Sequence, residues 1–151
     1  MTQNYKRILI GTDGSDEAKK ALRKAVELAK QNDAALLVVH VVDVRSYRGF
    51  ETFDGTLPDQ ARKKAKALLE DYRVTAQESG LEKVETLLKY GSPKKVLAQE
   101  LPREEKVDLI VMGATGLNVF DRVLIGSVSS FVMRSAICDV LIVRTDLPTV
   151  S

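Results

Sequence analysis

The chain has no tryptophan, a single cysteine and a single histidine in 151 residues. Cys138 therefore has no internal disulfide partner, and no Cys/His pair stands at the spacing of a zinc site. A lone thiol favours a reducing compartment. No apolar run approaches the roughly 18 residues that would suggest a membrane span. The opening, Met1 to Arg7, is polar and lacks the apolar core of a signal peptide. Charge of one sign is also scarce: 23 basic side chains face 21 acidic ones, leaving a net +2. A nucleic-acid binder usually carries a basic stripe and a large excess of Lys and Arg. These absences give the expectation of a soluble cytoplasmic protein with neither membrane nor nucleic acid as partner.

What remains is ordinary globular material. Hydrophobic residues make up 44% and charged residues 29%, which argues against disorder. The length fits one domain, 1–151, able to bury a core. Short aliphatic runs alternate with helical patterns, and no repeat or low-complexity tract interrupts them. Ile8-Leu9-Ile10 ends in the turn-forming Gly11-Thr12-Asp13-Gly14-Ser15. Ser15 suits a helix cap, with Asp16 and Glu17 at the positive end of the dipole. Ala18, Ala21, Leu22, Ala25, Val26 and Ala29 then recur on one helical face.

Leu36 to Val42 reads as a parallel strand covered on both faces. Asp43 to about Thr56 has no clean period and reads as a long loop. Pro58 suits the first turn of a second helix, whose buried stripe is Ala61, Ala65, Leu68, Leu69, Tyr72 and Ala76, with Gly80 ending it. Its basic residues Arg62, Lys63, Lys64 and Lys66 read as a solvated face. A third strand covers Lys83 to Lys89. Ser92-Pro93 reads as cap and first position of a third helix, with Val96, Leu97 and Leu101 inward and Pro102 disturbing its end. Leu109 to Met112 and Val140 to Val143 are the last two strands, separated by a glycine-marked loop and a helix carrying Val128, Phe131 and Val132. Strict β-α alternation with aliphatic strands predicts a parallel sheet with helices on both faces. Ligands of such sheets bind beyond the carboxyl ends of the strands.

Two glycine-bearing segments lie there, Gly11 to Ser15 and Gly113 onward. The second has the spacing Gly113-x2-Gly116-x9-Gly126-Ser127. Glycines allow close backbone approach or positive φ. The helix opening at Ser127 adds unpaired amides and a dipole suited to phosphate. Ser127 and Ser129 contribute hydroxyls without charge. Turns and close packing alone would explain glycines here too, so position after a strand and before a helix carries the reading. There is no Walker A motif, and no G-x-G-x-x-G follows the first strand.

The segment Gly113-x2-Gly116-x9-Gly126-Ser127 resembles the ATP-binding signature of the universal stress protein family. So do the stretches 6–15, 40–43, 108–113 and 140–144 in order, covering nearly the whole chain. The resemblance implies a Rossmann-like five-stranded parallel sheet of order 3-2-1-4-5 and a homodimer formed through the last strand, about Val140 to Val143. It implies ATP, with Mg2+ or Mn2+, as ligand. Carried over by position, Thr12, Asp13 and Val41 hold the nucleoside end, and Met112 and Gly113 border ribose and adenine. Gly116, Gly126, Ser127, Val128 and Ser129 surround the phosphates. Two departures stand out: Asp139 replaces the usual proline before the last strand, and the nine-residue insert has one basic residue, Arg122, offset by Asp121.

Asp13 reads as a nucleoside or cation ligand, or as an Asx turn. His40 reads as a packed, hydrogen-bonded histidine without a catalytic partner, and Cys138 as a small buried residue. Ser127 reads as helix cap and phosphate donor. No paired carboxylates or other catalytic set is evident. The leading expectation is a nucleotide-regulated binding and signalling module of a stress response, with an unidentified protein partner. The alternatives are a slow ATP hydrolase or self-phosphorylating protein, and a nucleotide-free dimeric scaffold. AMP or a cyclic dinucleotide are further candidate ligands.

Overall fold

The computed structural model describes residues 4–43, 59–114 and 126–144. Five strands, β1 (Arg7–Gly11), β2 (Ala35–Asp43), β3 (Val84–Gly91), β4 (Leu109–Gly113) and β5 (Asp139–Val143), form one sheet. All neighbouring pairs are parallel, in the order β3-β2-β1-β4-β5. The central strand β1 is wholly apolar where it matters: Ile8, Leu9 and Ile10 have no exposed surface. That burial on both faces is what a continuous aliphatic run requires.

Alternation along the strands divides the core in two. Ile8, Ile10, Leu36, Val38, Leu109 and Val111 point to α1 (Asp16–Asn32) and α2 (Asp59–Glu78). Leu9, Leu37, Val39, Ile110 and Met112 point to the opposite layer. The expected stripe of α1 is buried as a set, so its alanines let the helix lie close on the sheet. On α2 the buried positions are Ala65, Leu69, Tyr72 and Ala76, with Leu68 partly buried beside them. Expected strand ends differ from the observed ones by a residue or two, the usual uncertainty at fraying termini. Asp43 closes β2; the rest of the expected loop, and Pro58, lie outside the described residues.

The second layer begins at α3 (Pro93–Lys95), continues through a π turn (Val96–Glu100) into α4 (Leu101–Glu104), and is completed by α5 (Ser127–Ser135). Ser92 is the N-cap and Pro93 follows it, as expected, but the serine side chain makes no capping bond. Pro102 does not end the helix. Its missing N–H is accommodated by the wider turn before it, where the Leu101 N–H reaches back five residues to the Val96 carbonyl. The Ala98 carbonyl, which an α-helical residue 102 would have used, accepts instead from the Ile137 N–H at 3.4 Å. The disturbance thus links this helix to the segment entering β5.

Candidate functional site

The carboxyl end of β1 turns through a closely bonded loop. The Thr12 N–H donates to the Val39 carbonyl at 2.9 Å, carrying the β1–β2 ladder one residue past Gly11. Asp13 Oδ1 accepts from the Ser15 N–H at 2.9 Å, an Asx turn. Gly14 has φ +82°, where a side chain would be strained. Ser15 then caps α1, its Oγ accepting from the Ala18 N–H at 3.1 Å. Asp13 itself is exposed, so the turn and a ligand role are compatible.

His40 stands on β2 beside this turn. Its Nδ1 lies 2.9 Å from the Thr12 carbonyl oxygen. A carbonyl can only accept, so Nδ1 carries a proton and donates it to Thr12. The imidazole is half-buried and engaged with backbone, as its position in a packed strand suggested.

The end of β4 is held as firmly. The Ala114 N–H donates to the Val143 carbonyl at 3.0 Å, and the Gly126 N–H donates to the Ala114 carbonyl at 2.7 Å. The two ends of the glycine loop therefore meet. Gly116, and Asp121 and Arg122 with it, lie outside the described residues. Gly113 packs against α1: a Cβ there would stand 3.0 Å from the Glu17 backbone carbon and oxygen. Its carbonyl accepts a 2.7 Å bond from the Ser129 hydroxyl, which is buried.

The N-cap of α5 is Gly126, in extended conformation and with no side chain to satisfy the first turn. Ser127, expected as the cap, is instead the first helical residue and is exposed. The amides of Ser127, Val128 and Ser129 have no carbonyl within the helix to bond, and the dipole makes that end partly positive. Val128 packs partly into the second layer, near the face that carries Val41 and Met112. Thr12, Asp13, Val41, Met112 and Gly113 thus stand at the carboxyl ends of three adjacent strands, with α5 starting beside them. Asp13 is the only charged member of the described set.

A cofactor must be met by what these residues offer. The described residues there offer apolar β2 and β4 side chains, an uncapped helix start and an exposed hydroxyl. Among the described residues no group of three or more His, Cys, Asp or Glu is placed to hold a metal ion. Likewise among them, no helix is long and apolar enough to cross a membrane. Sequence reasoning placed Tyr72 in a buried stripe and missed its polarity. Its hydroxyl is buried and has no hydrogen-bond partner of good geometry among the described residues. The available signal was a phenol in an otherwise aliphatic stripe.

Comparison with known proteins agrees with this architecture. A model of the universal stress protein family matches residues 4–144. A Staphylococcus haemolyticus protein named for that family is 45% identical over 142 residues, 94% of this chain and 86% of its own length. A universal stress protein solved in complex with cAMP superposes with a TM-score of 0.76 at 28% identity, covering 95% of this chain and 100% of that one. One from Archaeoglobus fulgidus, solved with dAMP, gives 0.69 at 25% identity over 94% and 100% of the two chains. A family match across nearly the whole chain, joined to the parallel sheet and its order, makes this protein a member of the universal stress protein family.

Proposed function

We propose that the protein is an adenine-nucleotide-binding module that takes ATP with a divalent cation and passes its occupancy to a protein partner. The observation that carries this reading is the meeting of the β1, β2 and β4 ends with the uncapped start of α5. That related proteins have been solved with cAMP and dAMP supports the adenine part. Thr12, Asp13 and Val41 take the nucleoside, with Met112 and Gly113 beside the ribose and base. Gly116, Gly126, Ser127 and Val128 take the phosphates through amides and one hydroxyl. Ser129 serves them indirectly, because its proton is already given to Gly113 and its task is to seat α5. Phosphate charge is met by backbone dipoles and the cation rather than by basic side chains, and Asp13 faces the nucleoside or the cation. ATP, when bound with Mg2+ or Mn2+, supplies a charged group whose presence or loss can be sensed.

Calorimetric titration of nucleotide-stripped protein with Mg-ATP, AMP and a cyclic nucleotide tests the reading. Ser127→Asp is the informative variant. A carboxylate at the first helical position favours the helix, yet it repels phosphate. The variant is expected to fold at least as well and to bind Mg-ATP at least tenfold more weakly, with AMP less affected. Wild-type protein that takes up no adenine nucleotide at millimolar concentration would leave the scaffold reading in its place.

A second copy of the chain is the other proposed partner, through the outer edge of β5. Val140 to Val143 are only half-buried there, and Ile137, just before the strand, is 51% exposed. An unpaired edge flanked by apolar side chains is a template for association. Light scattering should report a dimer that Ile137→Lys weakens without unfolding the monomer; a wild-type monomer at tens of micromolar would reject it.

A further inference from the structure

His40 interrupts an otherwise aliphatic strand, between Leu36-Leu37-Val38-Val39 and Val41-Val42. It stands opposite Thr12, one step beyond the Gly11–Val39 pair that closes the β1–β2 register. The Ala35 N–H bonds to Lys6 and the Val39 carbonyl to Thr12, so odd-numbered residues of β2 turn their backbone groups to β1. The Leu36 N–H bonds to Lys83, so the even-numbered ones turn to β3. Val41 is the next odd residue, and continuation of the ladder requires its N–H to donate to the Thr12 carbonyl. Among the described residues that bond is not made.

The Thr12 carbonyl accepts from His40 Nδ1 instead, at 2.9 Å. A side chain has taken the place of main chain at the last rung. The strand itself has not frayed there, because β2 stays paired with β3 through Asp43 and Gly91. Thr12 is held from both sides, its N–H by Val39 and its carbonyl by His40. Val41, half-buried, is left with an N–H directed at β1 and no β1 carbonyl to receive it. Backbone donors are rarely left so, because an unpaired N–H costs about as much as a lost hydrogen bond.

We propose that His40 is a positioning residue of the nucleotide site: its imidazole holds the Thr12 carbonyl in place of the Val41 N–H, and so keeps that N–H available to the base. This rests on the nucleotide reading above, in which Thr12 and Val41 meet the nucleoside, and names what makes that end selective. The donor is in position before the ligand arrives, so binding requires no rearrangement of the two strands. A fixed N–H favours adenine, whose free ring nitrogens all accept, over guanine, whose N1 carries a proton. A base that cannot accept there leaves the donor unpaired, which is how such a site discriminates.

Amide hydrogen exchange in the ligand-free protein tests the ladder. The wild-type Thr12 N–H, bonded to Val39, should be protected and the Val41 N–H should not. His40→Leu releases the Thr12 carbonyl to Val41, whose exchange should slow about tenfold or more. Calorimetric titration with Mg-ATP and Mg-GTP tests the site. His40→Leu should lose about fivefold of the wild-type preference for Mg-ATP, the effect of one ordinary hydrogen bond. His40→Asn, which keeps an N–H donor near the place of Nδ1, should retain the preference and the open Val41 amide. The preference is a ratio of two ligands on one protein, so a loss of stability alone does not move it. A wild-type Val41 amide as protected as that of Thr12 shows the rung to be made and overturns the inference, even if His40→Leu fails to fold. An unchanged ratio in His40→Leu, or His40→Asn behaving as His40→Leu does, overturns it while leaving nucleotide binding intact. Wild-type protein that binds neither Mg-ATP nor AMP defeats the nucleotide reading, and the selectivity drawn from it, whatever the Val41 amide does.

Discussion

The Ser129 hydroxyl donates a 2.7 Å hydrogen bond to the carbonyl oxygen of Gly113, fastening the first turn of α5 to the end of β4. The serine is buried, while Gly113 is partly exposed. Ser129→Ala should destabilise the fold by ~0.5–1.5 kcal/mol, the usual net worth of one hydrogen bond. Denaturant unfolding with unchanged slope would report it. A change within experimental error would mean that the Gly113 carbonyl finds another donor and that α5 is seated by its apolar contacts alone.

Gly113 and Gly11 separate two reasons for glycine. A methyl group at Gly113 meets the Glu17 backbone at 3.0 Å, and backbone in the first turn of α1 has little room to yield. At Gly11 it meets the end of the Leu97 side chain at 3.3 Å, which can rotate away. Gly113→Ala should therefore cost ~1–3 kcal/mol, as overpacked sites do, and Gly11→Ala clearly less. Thermal melts of the two variants side by side decide it. Equal losses would contradict the claim that α1 dictates the residue at 113.

Cys138 gives a pH dependence with a defined sign. Burial, with the carboxylates of Asp108 and Asp139 nearby, raises its pKa from an ordinary 9.0 to about 11. The folded protein therefore keeps the thiol protonated where the unfolded chain begins to ionise. Its contribution to stability is intact below pH 9 and is lost as pH rises from there through about 11. The thiolate is the reactive form. Alkylation by iodoacetamide should be slow at pH 8 in native protein and much faster in denaturant. Fast alkylation of the native protein at pH 8 would refute the protected thiol.

Much of this architecture was legible in the chain because its signals are local. The Ser15 cap, the alanine stripe of α1 and the aliphatic strands each follow from side-chain chemistry acting within a few residues. The strand order came from family resemblance rather than from periodicity, since parallel strands of similar composition do not announce their neighbours. Three local readings were met only in part. Ser127 yields the cap to Gly126, because Gly126 is tied back to Ala114 and takes the extended conformation. Ser92 opens its helix without its side chain. Pro102 is absorbed by a π turn whose spare carbonyl, Ala98, is taken up by Ile137. Asp139, standing where proline was expected, opens β5 opposite Leu109 and accepts a 2.8 Å bond from the Tyr5 hydroxyl. Neither partner can be paired with the other from sequence, since 134 residues separate them.

The 2.7 Å bond between the Gly126 N–H and the Ala114 carbonyl has a use beyond the native protein. The chain leaves the sheet and comes back at one point, and the fold on either side is joined by its own hydrogen bonds. Exchange of the intervening segment then leaves the entropy of bringing the ends together largely unchanged, because that cost grows only slowly with length. A reporter domain with adjacent termini, spliced between those two residues, would inherit a fixed and narrow mounting. Its signal would be mechanically coupled to the start of α5.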